Sequence, residues 1–447
     1  MSKTPSWGIE PVPDRLRVLG ALDTGLLWGS LGMSLLVVVA GVLLVPALSL
    51  RDALLAILVG GVLGNLMLAL AALIGTDARV PGMVLLRAPL GRHGSYLATA
   101  VNVAQNVGWT VFELIVIATA ASALSDRLFG WSGKWLWTLA AAAATTALAL
   151  IGPVTFVRRW VRKVAIWVVL ASLAYLTWWA IDGAHLHALW SQHGKGGLSF
   201  WAGVDLTIAM PVSWLPLVAD YTRFSRSRSS SFAGTFVGYL IPNLWLYALG
   251  ALLLLSRGLA DAPSLLTAIA GAGAGAGIAL VALGIDETKE PFANVYSAAV
   301  SLQNLLPRVP QRLLIVVVAA GSTVGALAID LTRYMSFLFL LGSAFVPLFG
   351  VLLADWLLAG AHYSRDDVFR APAVRVELIG AWIAGFCLYQ WLEPVGPGWW
   401  TSLVARTHPH ALPWGGASLP SFAASFALAT LLGLAVPRIA ALLPQRA

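Results

Sequence analysis

Charge is what this chain has least of. Its 28 Lys and Arg and 20 Asp and Glu make up only 11% of 447 residues, where a soluble domain carries roughly 25%. Acidic residues are the scarcer sign, which leaves a net charge of +8 and a pI near 9.9. There is one cysteine, Cys387, so an internal disulfide framework is excluded. No cluster of Lys and Arg is interleaved with aromatics, which argues against a single-strand nucleic-acid binder. No short leader core stands at the start either. The first apolar run begins near Val18 and outlasts the roughly 7–15 apolar residues of a cleavable signal.

What the chain does have is apolar surface. Residues of that kind make up 59% and the mean hydropathy is +0.82. A water-soluble globule of this size could not bury so much, so the solvent is lipid. That excludes a cytosolic enzyme, a disordered chain and a secreted scaffold.

A helix crossing a bilayer needs about 20 apolar residues. Twelve such segments occur, at 18–46, 52–75, 95–124, 134–153, 162–182, 201–222, 232–256, 269–304, 312–329, 334–357, 376–393 and 418–443. With the N-terminus placed in the cytoplasm, the inner connections hold 20 of the 28 Lys and Arg and the outer ones 7. Arg158, Arg159, Arg162 and Lys163 weigh heavily on the inner side. This bias is the positive-inside pattern. It predicts an inner-membrane protein with both termini cytoplasmic. The remaining cation, Lys289, falls inside segment 8. The Ala/Gly alternation from Ala270 to Gly277 reads as a small-residue face or a loose helix start.

Two segments are interrupted at matching places, five segments apart. Segment 1 carries Trp28-Gly29-Ser30-Leu31-Gly32, and segment 6 carries Pro211-Val212-Ser213-Trp214-Leu215-Pro216. Gly and Pro weaken helix interiors. Broken backbone at membrane depth is tolerated where protein encloses it, and a matched pair points to an inverted-repeat transporter.

Ionisable groups inside a span cost roughly 2.5–3.5 kcal/mol each and mark function. In segment 3, Asn102, Asn106, Trp109 and Glu113 recur on one helical face, and Gly108 admits a close neighbour. In segment 8, Asp286, Glu287, Lys289 and Glu290 crowd together, and Glu287, Glu290, Asn294, Ser297 and Ser301 form a polar stripe. Lys289 lies roughly 140° round the helix from Asn294. A plain ion-pair cluster, Lys289 with Asp286 or Glu290, is the bland alternative. Asp220, Arg223, Asp355 and Arg375 read as helix anchors. His185, His187, His193, His408 and His410 read as loop residues rather than a metal site.

Gly91 with Ser95, Gly108-Trp109, the run from Pro216 to Phe224 (PLVADYTRF), Phe292-Ala293-Asn294, and Pro347-Leu348-Phe349-Gly350 with Asp355 resemble the nucleobase:cation symporter-1 family. The likeness is greatest to its cytosine-permease branch. The stretch Phe292 to Leu305 (FANVYSAAVSLQNL) resembles hydroxymethylpyrimidine transporters of that family. The resemblance implies an all-α membrane protein of the leucine-transporter fold. Residues 18–182 and 201–357 would be inverted repeats, with 376–443 two peripheral helices, all in one domain.

The resemblance also implies a flat heterocycle held between Trp109 and Trp214. Polar contacts would come from Glu113, Asn294, the backbone at Ser213 and, near the first break, Ser34. A coupling cation in sodium-driven relatives lies between carbonyls of segment 1, here near Ser30 and Met33, and hydroxyls of segment 8. Those hydroxyl positions fall on Thr288 and Lys289, with Asp286, Glu287 and Glu290 beside them. An ammonium there repels sodium or replaces it, which favours proton coupling or facilitated exchange.

The chemistry of the residues fits an aminopyrimidine such as hydroxymethylpyrimidine or cytosine. Stacking is worth about 1–3 kcal/mol per base but tolerates every base, so selection rests on hydrogen bonds to the rim. An ionised Glu113 only accepts, whereas Asn294 donates and accepts. The expected function is secondary transport of such a ring by alternating access, with the ring and the bilayer as partners. No cofactor, metal, nucleic acid or obligate protein partner is required. The rivals are an amino-acid or amine carrier of the same fold and, more remotely, an intramembrane enzyme built on Asp286, Glu287 and Glu290.

Overall fold

The computed structural model describes residues 9–151, 166–306, 308–407, 412 and 414–442. Arg158, Arg159, Arg162, Lys163, His408, His410, Lys3 and Arg446 lie outside the described residues. Among those described the chain is helical, with one isolated bridge, Leu19 to Ser225, and no named strand.

The helices that build the molecule are α1 (Ala21–Leu31), α2 (Leu35–Val42), α3 (Leu50–Ala78), α4 (Ser95–Phe129), α5 (Lys134–Ile151), α6 (Ile166–Ile181), α7 (Phe200–Val212), α8 (Leu215–Thr222), α9 (Arg228–Ser256), α10 (Ala274–Glu287), α11 (Lys289–Leu305), α12 (Gln311–Ala328), α13 (Tyr334–Leu358), α14 (Val376–Leu392) and α15 (Ser418–Leu442). Among the described residues, eight helical stretches are long and apolar enough to cross a membrane, and nine when α1 and α2 count together. The helices α6 and α14 are shorter, and α10 with α11 carries the charges of segment 8. With these three the architecture is consistent with the twelve segments.

Segment 1 is broken later than its composition suggests. α1 and α2 meet at a 62° bend across Gly32, Met33 and Ser34. Gly25 and Gly29 stay helical because they face Gly234 and Gly238 of α9; a Cβ on Gly29 would stand 3.4 Å from the Gly238 carbonyl. These glycines let two membrane helices approach backbone to backbone. α2 is apolar all round (LLVVVAGV) and buried throughout, as expected of a helix with no lipid-facing side. Segment 6 is interrupted at Ser213-Trp214, as its sequence predicts, but α7 and α8 continue as one span, Phe200–Thr222.

Segment 8 departs most from expectation. A separate helix, Ala262–Gly271, precedes it. Gly273 takes a positive φ of 119°, and α10 starts at Ala274, so the Ala/Gly stretch is a loose helix start. A second interruption at Thr288 divides α10 from α11.

The pair α1/α2 packs on α9, α7 packs on α3, and α4 packs on α11; α13, α14 and α15 form a side layer. Outward side chains such as Leu22, Trp135 and Val376 are more than 60% exposed, as lipid-facing residues should be. The helix anchors hold their places. Asp220 accepts the Gly82 N–H at 2.9 Å, and Arg375 meets Asp355 at 2.6 Å. Asp205, buried in α7, accepts the N–H groups of Ala417 and Ser418 at the start of α15. At the end of α3, Asp77 collects Arg228 of α9, the Trp356 indole of α13 (3.1 Å), the Tyr363 N–H (2.9 Å) and His362 Nδ1 (2.8 Å).

Candidate functional site

The polar residues of segments 3 and 8 meet across one cavity. Its walls include Gln105, Trp109 and Glu113 of α4, Ser213 and Trp214 at the α7/α8 interruption, Glu290 and Asn294 of α11, and Leu31, Ser34 and Leu36 around the first break. Empty space among them, the mouth included, is about 420 Å³.

Helical spacing explains the two polar walls. Gln105, Trp109 and Glu113 stand four residues apart on α4, and Glu290 and Asn294 stand four apart on α11, so each set forms one stripe. The stripes join where Asn294 Nδ2 donates to both Glu113 oxygens, at 3.1 and 3.2 Å. Glu113 and Asn294 are 4% and 5% exposed.

Both indoles face the cavity from braced positions. Trp109 is edge-packed on Phe337, with centroids 5.2 Å apart, and on Tyr334 at 6.1 Å. Gly108 makes room for Phe337, since a Cβ there would strike that ring. Trp214 donates its Nε1–H to the Tyr239 hydroxyl at 2.9 Å and packs edgewise on Trp28 at 5.8 Å. With that N–H spent, Trp214 has only its ring face to offer a ligand.

Gln105 is a cavity-lining residue that sequence reasoning passed over. Its Nε2 donates to the Ser213 carbonyl at 3.0 Å and to Asn102 Oδ1 at 2.9 Å, while its buried Oε1 has no partner. The signal was present, because Gln105 stands one turn before Trp109 on the same face. Ser213 lines the cavity, and its carbonyl accepts from Gln105. Tyr239 was also missed; nothing in segment 7 sets it apart. Asn106 is buried away from the cavity walls and neither side-chain end has a partner. Asn102 reaches Ser301 at 3.3 Å, tying the two stripes further along.

Beside the cavity lies the α1/α2 break, and its exposed helix ends are answered by charges from the α10/α11 junction. A helix end leaves orphan N–H or C=O groups, positive at the N-terminus and negative at the C-terminus. Glu287 accepts the Leu35 N–H at 2.8 Å and the Ser34 hydroxyl at 2.7 Å, at the start of α2. Lys289 donates to the Ser30 carbonyl at 3.1 Å, at the end of α1, and to Asp286 at 2.6 Å.

The other expected cation-site residues are placed differently. Met33 donates its N–H to the same Ser30 carbonyl at 3.3 Å, and its side chain lines an apolar cleft between α1 and α9. The Thr288 hydroxyl is spent on the Ile285 carbonyl of its own helix, because α10 ends there and its last carbonyls need donors. Ser34 serves both as cap of α2, accepting from the Leu36 N–H, and as part of the cavity wall. Among the described residues no three His, Cys, Asp or Glu gather as metal ligands.

Comparison with known proteins follows the same lines. A family model described as permease for cytosine/purines, uracil, thiamine, allantoin matches residues 11–373. The cytosine permease of Escherichia coli (strain K12) is 24% identical over 355 residues, covering 78% of this chain and 81% of the relative. The inward-facing conformation of Mhp1 superposes with a TM-score of 0.79 at 18% identity, over 98% of this chain and 94% of that one. The closed conformation of Mhp1, described as a nucleobase-cation-symport-1 family transporter with bromovinylhydantoin bound, gives 0.73 at 18% identity, over 96% and 95%.

Proposed function

The chain belongs to the family of permeases for cytosine and purines, uracil, thiamine and allantoin, and on that premise we propose that it imports an aminopyrimidine by alternating access. The observation that carries this reading is the acceptor-rich rim between two indoles. Gln105 Oε1 is buried without a partner, and Glu113 takes only the Asn294 amide. A ring entering between Trp109 and Trp214 gains stacking, and it satisfies the rim only if it brings N–H donors. Cytosine and hydroxymethylpyrimidine carry exocyclic amines; a ring with carbonyls alone at its edge does not.

The cycle moves α1/α2 and α7/α8 against α4 and α11, with residues 18–182 and 201–357 acting as the two repeats. The excess of Lys and Arg on one set of connections favours an inner-membrane protein with cytoplasmic termini. The Lys289 ammonium at the end of α1 favours sodium-independent uptake, because it already supplies the positive charge that this helix end attracts.

An amino-acid carrier of the same fold would offer a free helix start to the substrate carboxylate. Here the start of α2 already holds the Glu287 carboxylate, which disfavours that reading. The relatives are permeases, not intramembrane enzymes. A thermal-shift panel tests the proposal: pyrimidines, purines, hydantoins, thiamine precursors and amino acids, each added to purified protein. Aminopyrimidines should stabilise most. Stabilisation by amino acids alone would overturn it.

A further inference from the structure

One carboxylate in the cavity has no counterpart. Glu290 stands in the first turn of α11, is 3% exposed, and lines the cavity, yet its Oε1 receives no hydrogen bond. The charged and titratable groups acting on it are Lys289 on its own helix, Asp286 and Glu287 on α10, Glu113 on α4, Tyr221 on α8 and Tyr239 on α9. Several of these are committed elsewhere. The ammonium of Lys289 is taken by Asp286 and the Ser30 carbonyl. Glu287 is satisfied at the start of α2, Glu113 by the Asn294 amide, and the Tyr239 hydroxyl takes the Trp214 indole. Four carboxylates therefore share one ammonium in a space largely closed to water, and Glu290 is the one whose buried oxygen receives no hydrogen bond. A bare carboxylate so placed is far less stable than its neutral acid.

We propose that Glu290 is the proton site of this transporter. In the form open to one side, hydronium gives its proton to a Glu290 oxygen; an O–H bond forms and water is left. In the form open to the other side the proton passes to water and the carboxylate returns. Protonation turns one wall of the cavity from acceptor to donor, and the ring carbonyl or unprotonated ring nitrogen of a pyrimidine accepts from it, so the ligand binds best with the proton in place. That difference couples proton and ligand movement. The coupling rests on the reading of this cavity as the transport site; the protonation itself does not.

The test uses the full chain in liposomes, without ligand, and records infrared difference spectra as the pH is lowered. Wild type should gain a carboxylic-acid C=O band, Glu290→Gln should lack it, and Glu287→Gln should keep it. Should the Gln variant fail to fold, Glu290→Asp should displace the band. A second arm traps a pH dye inside the liposomes and adds cytosine outside: wild type acidifies the lumen, and Glu290→Gln does not. An unchanged band in Glu290→Gln, or no band in wild type, overturns the proposal. A band that behaves as expected with no response to cytosine upholds the proton site and removes the substrate reading alone.

Discussion

The ammonium of Lys289 stands 3.1 Å from the Ser30 carbonyl, so a charged side chain of α11 closes the break between α1 and α2. That carbonyl is the negative end of α1, where a mobile cation would otherwise be attracted. Its companion, Glu287, answers the positive end of α2 five residues further along the chain. The break is thus stabilised at both ends by the same junction of α10 and α11.

Replacing Lys289 by Thr should vacate that position and restore a hydroxyl beside the carbonyl. Wild type should show the same thermal stability and uptake in sodium and in potassium. Lys289→Thr should be less stable in potassium and regain stability as sodium is added, by about 2.7 kcal/mol once sodium reaches a hundred times its Kd. Sodium-dependent uptake by wild type would contradict the role given to Lys289.

Loss of either indole should weaken ligand binding without unfolding the protein. Trp109→Ala or Trp214→Ala removes one stacking face worth roughly 1–3 kcal/mol, a factor of about 5 to 150 in Kd. Quenching of tryptophan fluorescence by ligand would measure it. Trp214→Phe should retain much of the affinity, because the indole N–H is spent on Tyr239 rather than on the ligand.

Glu113→Gln exchanges a pure acceptor for an amide that also donates. Aminopyrimidine uptake should fall by about tenfold or more, corresponding to roughly 1.4 kcal/mol, while close carbonyl analogues lose less. Competition assays with paired analogues would show the difference, and an equal loss for both would remove the selective role of Glu113.

Glu287→Ala should destabilise the fold, since it strands the Leu35 N–H and the Ser34 hydroxyl at a buried helix start. The expected cost is about 1–3 kcal/mol for each unsatisfied group, visible as a lowered Tm. Glu287→Gln keeps an accepting oxygen and should recover a good part of it. Matching losses in the two variants would mean that the cap contributes little.

Much of this architecture was legible in the sequence because the membrane makes polar residues conspicuous. Trp109, Glu113, Trp214 and Asn294 stood out against apolar neighbours, and the structure gathers them round one cavity. The break in segment 1 was harder to place. Its glycines serve two purposes, and only the three-dimensional partner, Gly238, shows that Gly29 is there for close packing. Gln105 escaped notice because Asn102 and Asn106 already account for the polar face of segment 3, and only the Ser213 carbonyl across the cavity sets it apart. The interruption at Thr288 carries no Gly, and Pro291 lies beyond it. It follows from the needs of the neighbouring broken helix, which no local pattern reveals.

The gathering of donors on Asp77 has a consequence for how the molecule moves. Four groups from α9, α13 and the chain after it converge on one carboxylate at the tip of α3. Partial displacement of any one of these elements leaves the others still fastened. Drawing α9 or α13 away from the tip of α3 therefore strips donors from a buried carboxylate, a cost that fastens the three elements to one another at this end of the molecule.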